Sequence, residues 1–359
     1  MQRWMVAGLL ALTAGCATDP LAQLETATPT LSQTQVAELQ KRAQAPNALG
    51  IKMQMSGQSV LFSGINEIDA PESVTLPLVK VPTDDPGAAG GNYRVPIVAA
   101  NVNGRADVRV LLDSGSDGLI LGYSLARELD VPIIAGVKPV TTMGIGGTVD
   151  NYFAVVPTIR FGSAEIRRSL ARIGADAQAL NFTRSFWGDQ QGMIFGVTAL
   201  KQVSFLTIDF LAGRVTLAPR DQFLPEQASA FITAVPMRWW NGLPCVDIAI
   251  DGRGTFVCVV DTGGDFGLLL PRARAQELGY WKPGRGGVNA SHGVGGATLD
   301  TRYEVKQAKL GGATITKIRG GTMLIGPEPL GGQILIGNQV LRRYRVTFDF
   351  KRSVLWLER

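Results

Sequence analysis

Two stretches of this 359-residue chain repeat one pattern. Val108 to Leu121 reads V-R-V-L-L-D-S-G-S-D-G-L-I-L, and Val257 to Leu270 reads V-C-V-V-D-T-G-G-D-F-G-L-L-L. In each, a short apolar strand runs into an aspartate, turns on a glycine and leaves as a second apolar strand. A carboxylate buried between two such strands is costly unless it is paired or neutralised. One such aspartate would be hard to accommodate. Two in matching settings can serve as each other's partner.

The repetition holds along the chain. Asp113 and Asp261 are 148 apart, and the same offset aligns Pro96 with Pro244, Asn103 with Asp251, Gly104 with Gly252 and Arg105 with Arg253. One inserted residue near Phe266 makes the offset 149, which aligns Gly144-Ile145-Gly146-Gly147 with Gly293-Val294-Gly295-Gly296 and Gly162-Ser163-Ala164 with Gly311-Gly312-Ala313. Thr207-Ile208-Asp209-Phe210 then matches Thr347-Phe348-Asp349-Phe350 at 140. Matching residues in order at a slowly drifting offset mark a duplicated domain, and the period is too long for a solenoid. The expectation is two homologous lobes.

At these residues the chain resembles the aspartic proteases. The shared features are D-S-G and D-T-G after an apolar strand, a G-x-G-G segment about thirty residues later, and the apolar-apolar-glycine triplets Ile194-Phe195-Gly196 and Leu335-Ile336-Gly337. A flap-like G-x-G-G in both halves is closest to the retroviral-protease-like branch, whereas two lobes in one chain is the pepsin-like arrangement. The resemblance covers roughly Arg94 to Arg359. It implies an all-β fold of two retropepsin-like lobes related by a pseudo-twofold, a peptide or protein substrate, and a catalytic pair, Asp113 and Asp261. No cofactor and no metal is implied.

Neighbouring residues take roles from the same resemblance. Ser114 and Thr262 are similar to the hydroxyl pair that locks the two active loops together. Gly115 and Gly263 let the loops turn tightly and bring N–H groups near the carboxylates. Ser116 is placed to hydrogen-bond Asp113, and its counterpart is Gly264. Asp117 and Asp265 resemble the acid that binds substrate backbone in retroviral proteases, with turn capping as the alternative. The basic residue that those enzymes carry after the triplet is absent, since Val197 and Asn338 stand there. Gly144, Gly146, Gly293 and Gly295 read as flap glycines over a substrate cleft. They do not complete a G-x-G-x-x-G phosphate loop, and no helical pattern follows.

A pair of carboxylates sharing one proton can do both halves of peptide hydrolysis. The ionised one takes a proton from water while the protonated one hydrogen-bonds the carbonyl. Loss of the shared proton at high pH ends activity, which implies an optimum on the acid side of neutral. The alternative is a lobe pair that kept the fold but only binds peptide or glycan. The single histidine, His292, argues against a Ser-His-Asp enzyme and a histidine-rich metal site.

Composition agrees with a turn-rich β protein. There are 43 glycines, 45% hydrophobic residues and a net charge of only +5 with no long basic run. Nucleic acid is not an expected partner, and the Arg342, Arg343, Arg345 cluster reads as the edge of a strand. Residues 1–16 read as an address: Arg3, an apolar run from Trp4 to Leu12, then Thr13-Ala14-Gly15 before Cys16. This resembles a bacterial lipoprotein signal in which Cys16 is acylated; an ordinary cleaved signal peptide is the alternative. The expected protein is a monomer anchored through lipid in the bacterial cell envelope, at the outer membrane facing the periplasm. No later apolar run is long enough to span a bilayer.

The remaining organisation reads as follows. Residues 17–93 form a tether, a helix over Ser32 to Ala45 and short strands. Lobe one covers 94–220 and lobe two 235–359. Thr83 to Gly91 is a flexible break, and Asn181 to Gln191 is an aromatic loop beside the cleft or on the surface. Tyr123 to Leu129 reads as a short helix, and Asn103-Gly104 as a two-residue hairpin turn. Cys245 and Cys258 flank a hairpin expected to turn at Gly252-Arg253, which places them diagonally on one face and favours free thiols over a bridge.

Overall fold

The computed structural model describes residues 30–56, 59–81, 93–144, 147–176, 192–284, 287–294, 296–324 and 328–359. These residues form an all-β protein with a few short helices. Among them are two eight-stranded sheets, one built between Glu67 and Gly196 and the other between Arg238 and Ile336. A six-stranded sheet joins the halves, and a small hairpin, Lys52–Ser56 with Ser59–Ser63, stands beside the first.

The inner strands of each half explain why the aspartates lie at the bottom. Strand Arg105–Asp113 is exposed at its start and buried over its last four residues, and Leu119–Gly122 is buried throughout. Between them runs Gly192–Gly196, parallel to the first, with Gly196 beside Asp113, and antiparallel to the second. The second half repeats this threading: Ile334–Ile336 is parallel to Thr255–Val260 and antiparallel to Leu268–Leu269. Strands covered on both faces require continuous apolar runs, which is why V-L-L and L-L-L surround each aspartate.

The six-stranded sheet carries the pseudo-twofold. At its centre Phe205–Asp209 pairs antiparallel with Arg345–Asp349, so that Thr207 faces Thr347 and their hydroxyls hydrogen-bond at 2.8 Å. Its outer strands show where the repeat begins. Val74–Pro77 pairs with Arg214–Ala218 as Ile232–Pro236 pairs with Val354–Glu358, which makes Pro77 the counterpart of Pro236 at an offset of 159. The offset falls to 148 by Tyr93 and Asn241, so the first half carries an eleven-residue insertion, 82–92. The strands of the first lobe therefore begin well before position 94, and the Thr83–Gly91 break falls inside that insertion, outside the described residues. The segments 1–29 and 177–191 also lie outside them.

Local corrections follow from hydrogen bonding. The first helix spans Gln33–Lys41, not Ser32 to Ala45. Ser32 caps it reciprocally with Gln35, as expected of a capping box, but Gln44 is already drawn into a bridge with Ile134. The Tyr123–Glu128 helix and the Asn103-Gly104 turn, with φ of 49° and 88°, form as read. The second hairpin turns differently. Cys245 lies opposite Val259 and Cys258 opposite Val246, one residue off the expected register. A one-residue slip moves a side chain to the other face. The two cysteines therefore point to opposite sides of the sheet, buried in separate apolar clusters, and are free.

This geometry gives a direct expectation. Alkylation in denaturant without reductant should modify both Cys245 and Cys258, and reductant should leave the melting temperature unchanged. A mass spectrum showing the 245–258 disulfide would contradict the register.

Candidate active site

The two aspartate loops complete one another at the junction of the halves. The Ser114 amide donates to the Thr262 hydroxyl at 2.9 Å, and the Thr262 amide donates to the Ser114 hydroxyl at 3.0 Å. Each hydroxyl in turn donates across the junction, Ser114 to the Val260 carbonyl at 2.6 Å and Thr262 to the Leu112 carbonyl at 2.7 Å. Both side chains are buried, so each is satisfied only by the opposite lobe.

Asp113 and Asp261 meet on this floor, each carboxyl set against the other lobe's loop glycine and close enough to shift its partner's ionisation. The Gly115 amide donates to Asp113 at 2.8 Å, and the Gly263 and Gly264 amides donate to Asp261 at 2.9 and 3.1 Å. The reason for glycine here differs from the expected one. Neither Gly115 nor Gly263 has a positive φ. A Cβ on Gly115 would lie 2.5 Å from the Asp261 carboxyl, and one on Gly263 would lie 2.4 Å from that of Asp113. Each glycine clears room for the other lobe's acid. Ser116 also differs from expectation: its hydroxyl donates to the Gly118 carbonyl at 2.9 Å, and only its amide reaches Asp113.

Burial sets the charge state of the pair. Loss of water pushes Asp113 up to about 6, against the lowering effect of the Gly115 amide and of Asp261. Asp261 is raised well above the ordinary carboxylate range, first by burial and then by the charge on Asp113. Two carboxyls this close cannot both ionise cheaply, so the pair retains a proton where isolated aspartates have lost theirs.

Above the floor is a cavity of about 1040 Å³ lined by both aspartates. Two hairpins roof it. Val140–Gly144 pairs with Gly147–Phe161, and Asn289–Gly293 pairs with Gly296–Leu310. Their tips touch: a Cβ on Gly144 would lie 2.2 Å from the Val294 carbonyl oxygen, and Val294 packs on the first-lobe cluster of Ile97, Ile120 and Ile194. Gly144 and Gly293 line the cavity. Gly146 and Gly295 lie outside the described residues, as does Cys16.

Asp117 and Asp265 also line the cavity, each held by arginine. Asp117 is paired with Arg172 and keeps 60% of its side chain exposed. Asp265 is only 12% exposed and is held by Arg94 at 2.7 Å and by Arg342 at 3.4 Å. Sequence reasoning missed the part played by all three arginines, and Arg342, read as the edge of a strand, instead ends the short helix Asn338–Leu341 with its side chain 3% exposed. Arg342 supplies the cation that is absent after the triplet, one helical turn on from Asn338. Asn338 itself donates to the Thr262 carbonyl at 2.6 Å and steadies the loop. Arg94 reaches from the start of the first lobe to the second. Among the described residues no group of His, Cys, Asp and Glu is arranged to hold a metal ion.

Residues 98–197 match the family model described as aspartyl protease. That stretch contains Asp113, its flanking strands, the first hairpin roof and the Ile194-Phe195-Gly196 triplet, and it supports an aspartic-protease fold. A solved structure similar to this chain is a retropepsin-like aspartic protease from Rickettsia conorii, 17% identical, covering 36% of this chain and 89% of that one with a TM-score of 0.28. None of the curated proteins matches.

The raised acids fix the sign of a stability effect. Between the ordinary carboxylate value of 3.8 and about 6, the folded chain holds more protons at Asp113 than the unfolded chain. Stability then falls as pH rises through that window. Replacing both Asp113 and Asp261 with Asn removes the buried charge. The double variant should melt higher than the wild type at pH 7, by up to a few kcal/mol in stability, with the gap closing towards pH 4. Thermal denaturation across that range checks it; a gap that widens towards low pH would reverse the assignment.

Proposed function

We propose that the chain is an aspartic endopeptidase that hydrolyses peptide bonds with a water activated between Asp113 and Asp261. The observation that carries this reading is the pair of buried carboxyls, one from each lobe, that meet on the floor of a roofed cavity. The ionised carboxylate takes a proton from the water as it attacks the scissile carbonyl carbon. The protonated partner donates to the carbonyl oxygen, whose developing charge it stabilises. Collapse of the tetrahedral adduct breaks the C–N bond, and the leaving nitrogen takes a proton from the pair. The amides of Gly115, Gly263 and Gly264 keep both carboxyls oriented through the cycle. Both acids lie in one chain, so a monomer has a complete site.

Each of Asp113→Asn and Asp261→Asn should lower turnover roughly a thousandfold or more, and the double variant should be hardly worse, because the residues act as one unit. The active state needs one proton on the pair. Activity should rise as pH passes about 6, where Asp113 ionises, and fall when the second proton leaves. Burial thus moves the optimum towards neutrality from the acid side. The assay is cleavage of an unstructured peptide library at graded pH, with and without a statine inhibitor. A folded chain that binds these peptides and cleaves none would make it a binding protein.

The cellular placement rests on sequence. The Arg3, Trp4–Leu12, Thr13-Ala14-Gly15-Cys16 pattern supports lipid attachment at Cys16 and an envelope location, with the outer membrane facing the periplasm as destination. Among the described residues no helix is long and apolar enough to cross a membrane. Metabolic labelling with a clickable fatty acid should mark the wild type and spare Cys16→Ser. Equal labelling of both would remove the anchor.

A further inference from the structure

The two walls of the cavity correspond residue by residue, so their differences can be read directly. In the first lobe Arg172 stands beside Ile120, and in the second Gly321 stands beside Leu269. Ile120 and Leu269 correspond at the offset of 149, and so do Arg172 and Gly321. All four line the cavity that holds both catalytic aspartates.

Arg172 fills its space with a guanidinium that is only 11% exposed and is pinned by Asp117. Gly321 leaves the matching space open. A Cβ there would meet only the Thr301 carbonyl oxygen at 3.5 Å and Leu269 Cδ1 at 3.6 Å, ordinary contact distances, and its φ is not one that demands glycine. The backbone therefore does not require glycine at this position. The vacancy is a property of the cavity.

Much of the wall beyond that vacancy is apolar. Trp240, Leu243, Leu269, Met323, Leu330 and Leu335 line the same cavity. Trp240 has no equivalent in size across the twofold, since the strand pairing makes Val81, fully buried in the first lobe, its counterpart. Leu330, in the same lining, has φ 45° and ψ 46°, a left-handed conformation that a leucine seldom adopts. A large apolar side chain gains burial against this wall; Arg302, across the strand pair from Gly321, also lines the cavity but keeps 62% of its side chain exposed beside Asp300. Against the other wall it would have to cover the exposed carboxylate of Asp117 and its ion pair.

We infer that the second lobe contains a single side-chain pocket, opened by Gly321, which selects a bulky apolar residue of the substrate on one side of the scissile bond only. The first lobe, with Arg172 and Asp117 at the matching position, rejects such a residue on the other side. This specificity rests on the protease reading for its use, but the pocket can be tested without turnover.

The probes are two reduced-bond peptides with identical flanks, in which –CH2–NH– replaces the central amide. One carries Phe before and Gly after the reduced bond; the other has them exchanged. Calorimetry on the purified full chain should find one bound roughly tenfold or more tighter than the other. Gly321→Leu should erase that preference. Arg172→Gly should strengthen the weaker peptide. Should Gly321→Leu fail to fold, Gly321→Ala should reduce the preference in the same direction. Equal binding of the two probes, binding of neither, or a preference unchanged in the folded Gly321 variant overturns the inference. One-sided binding without any library cleavage keeps the pocket and rejects the protease. Cleavage without one-sided preference does the reverse.

Discussion

Two carboxyls taken out of water within hydrogen-bonding reach of each other impose the constraint that organises this molecule. They cannot be ionised together, so each needs its partner as a proton donor or acceptor, and each partner belongs to the other lobe. The same dependence is written into the supporting atoms. The hydroxyls of Ser114 and Thr262 are buried and find their partners only across the junction. Gly115 and Gly263 are shaped by the opposite acid rather than by their own backbone. A half of this floor would leave a buried carboxyl and a buried hydroxyl without their partners. The six-stranded sheet centred on Thr207 and Thr347 holds the halves in the one relation that satisfies them.

How much of this could be read from the sequence follows from the same constraint. The floor is chemically exacting, so D-S-G, D-T-G and the triplets survive in both halves at nearly constant spacing, and the apolar strands around them follow from burial on both faces. The start of the first lobe was hidden because the insertion at 82–92 breaks the offset, and Val74–Pro77 has little in common with Ile232–Pro236 beyond its proline. Only the pairing to Arg214–Ala218 reveals the kinship. The cysteine hairpin was misread by one residue because Gly252 and Gly254 both have positive φ, 68° and 134°, and permit a longer turn than two residues. Arg94, Arg172 and Arg342 left no local signal at all, since an ion pair between residues as distant as 94 and 265 exists only in the folded chain.

What diverged between the halves lies above the floor. Asp117 and Asp265 hold the same place in the repeat, yet one is exposed beside an arginine of its own lobe and the other is enclosed by two, one of them from the other lobe. Arg94 corresponds to Gly242 and Arg172 to Gly321, so at both places the first lobe has an arginine where the second has a glycine. Once Asp265 is fixed by Arg342, which is almost fully buried, its charge is balanced within the fold and it is a structural tie between lobes. Asp117, exposed on one side, remains available to a ligand in the cavity.

This pattern of a conserved floor under unlike walls follows from a mismatch of symmetry. A polypeptide has direction, from amino to carboxyl end, whereas a strictly twofold cleft offers identical walls to either direction. Such a cleft binds one peptide in two equivalent ways and reads the residues on both sides of the scissile bond with the same pocket. The proposed hydrolysis would tolerate that degeneracy, because either carboxyl can serve as proton donor or acceptor. Recognition does not tolerate it if one orientation is to be preferred. An arginine on one wall facing a glycine on the other lifts the degeneracy. It leaves Asp113, Asp261 and the hydroxyls that cross between them untouched.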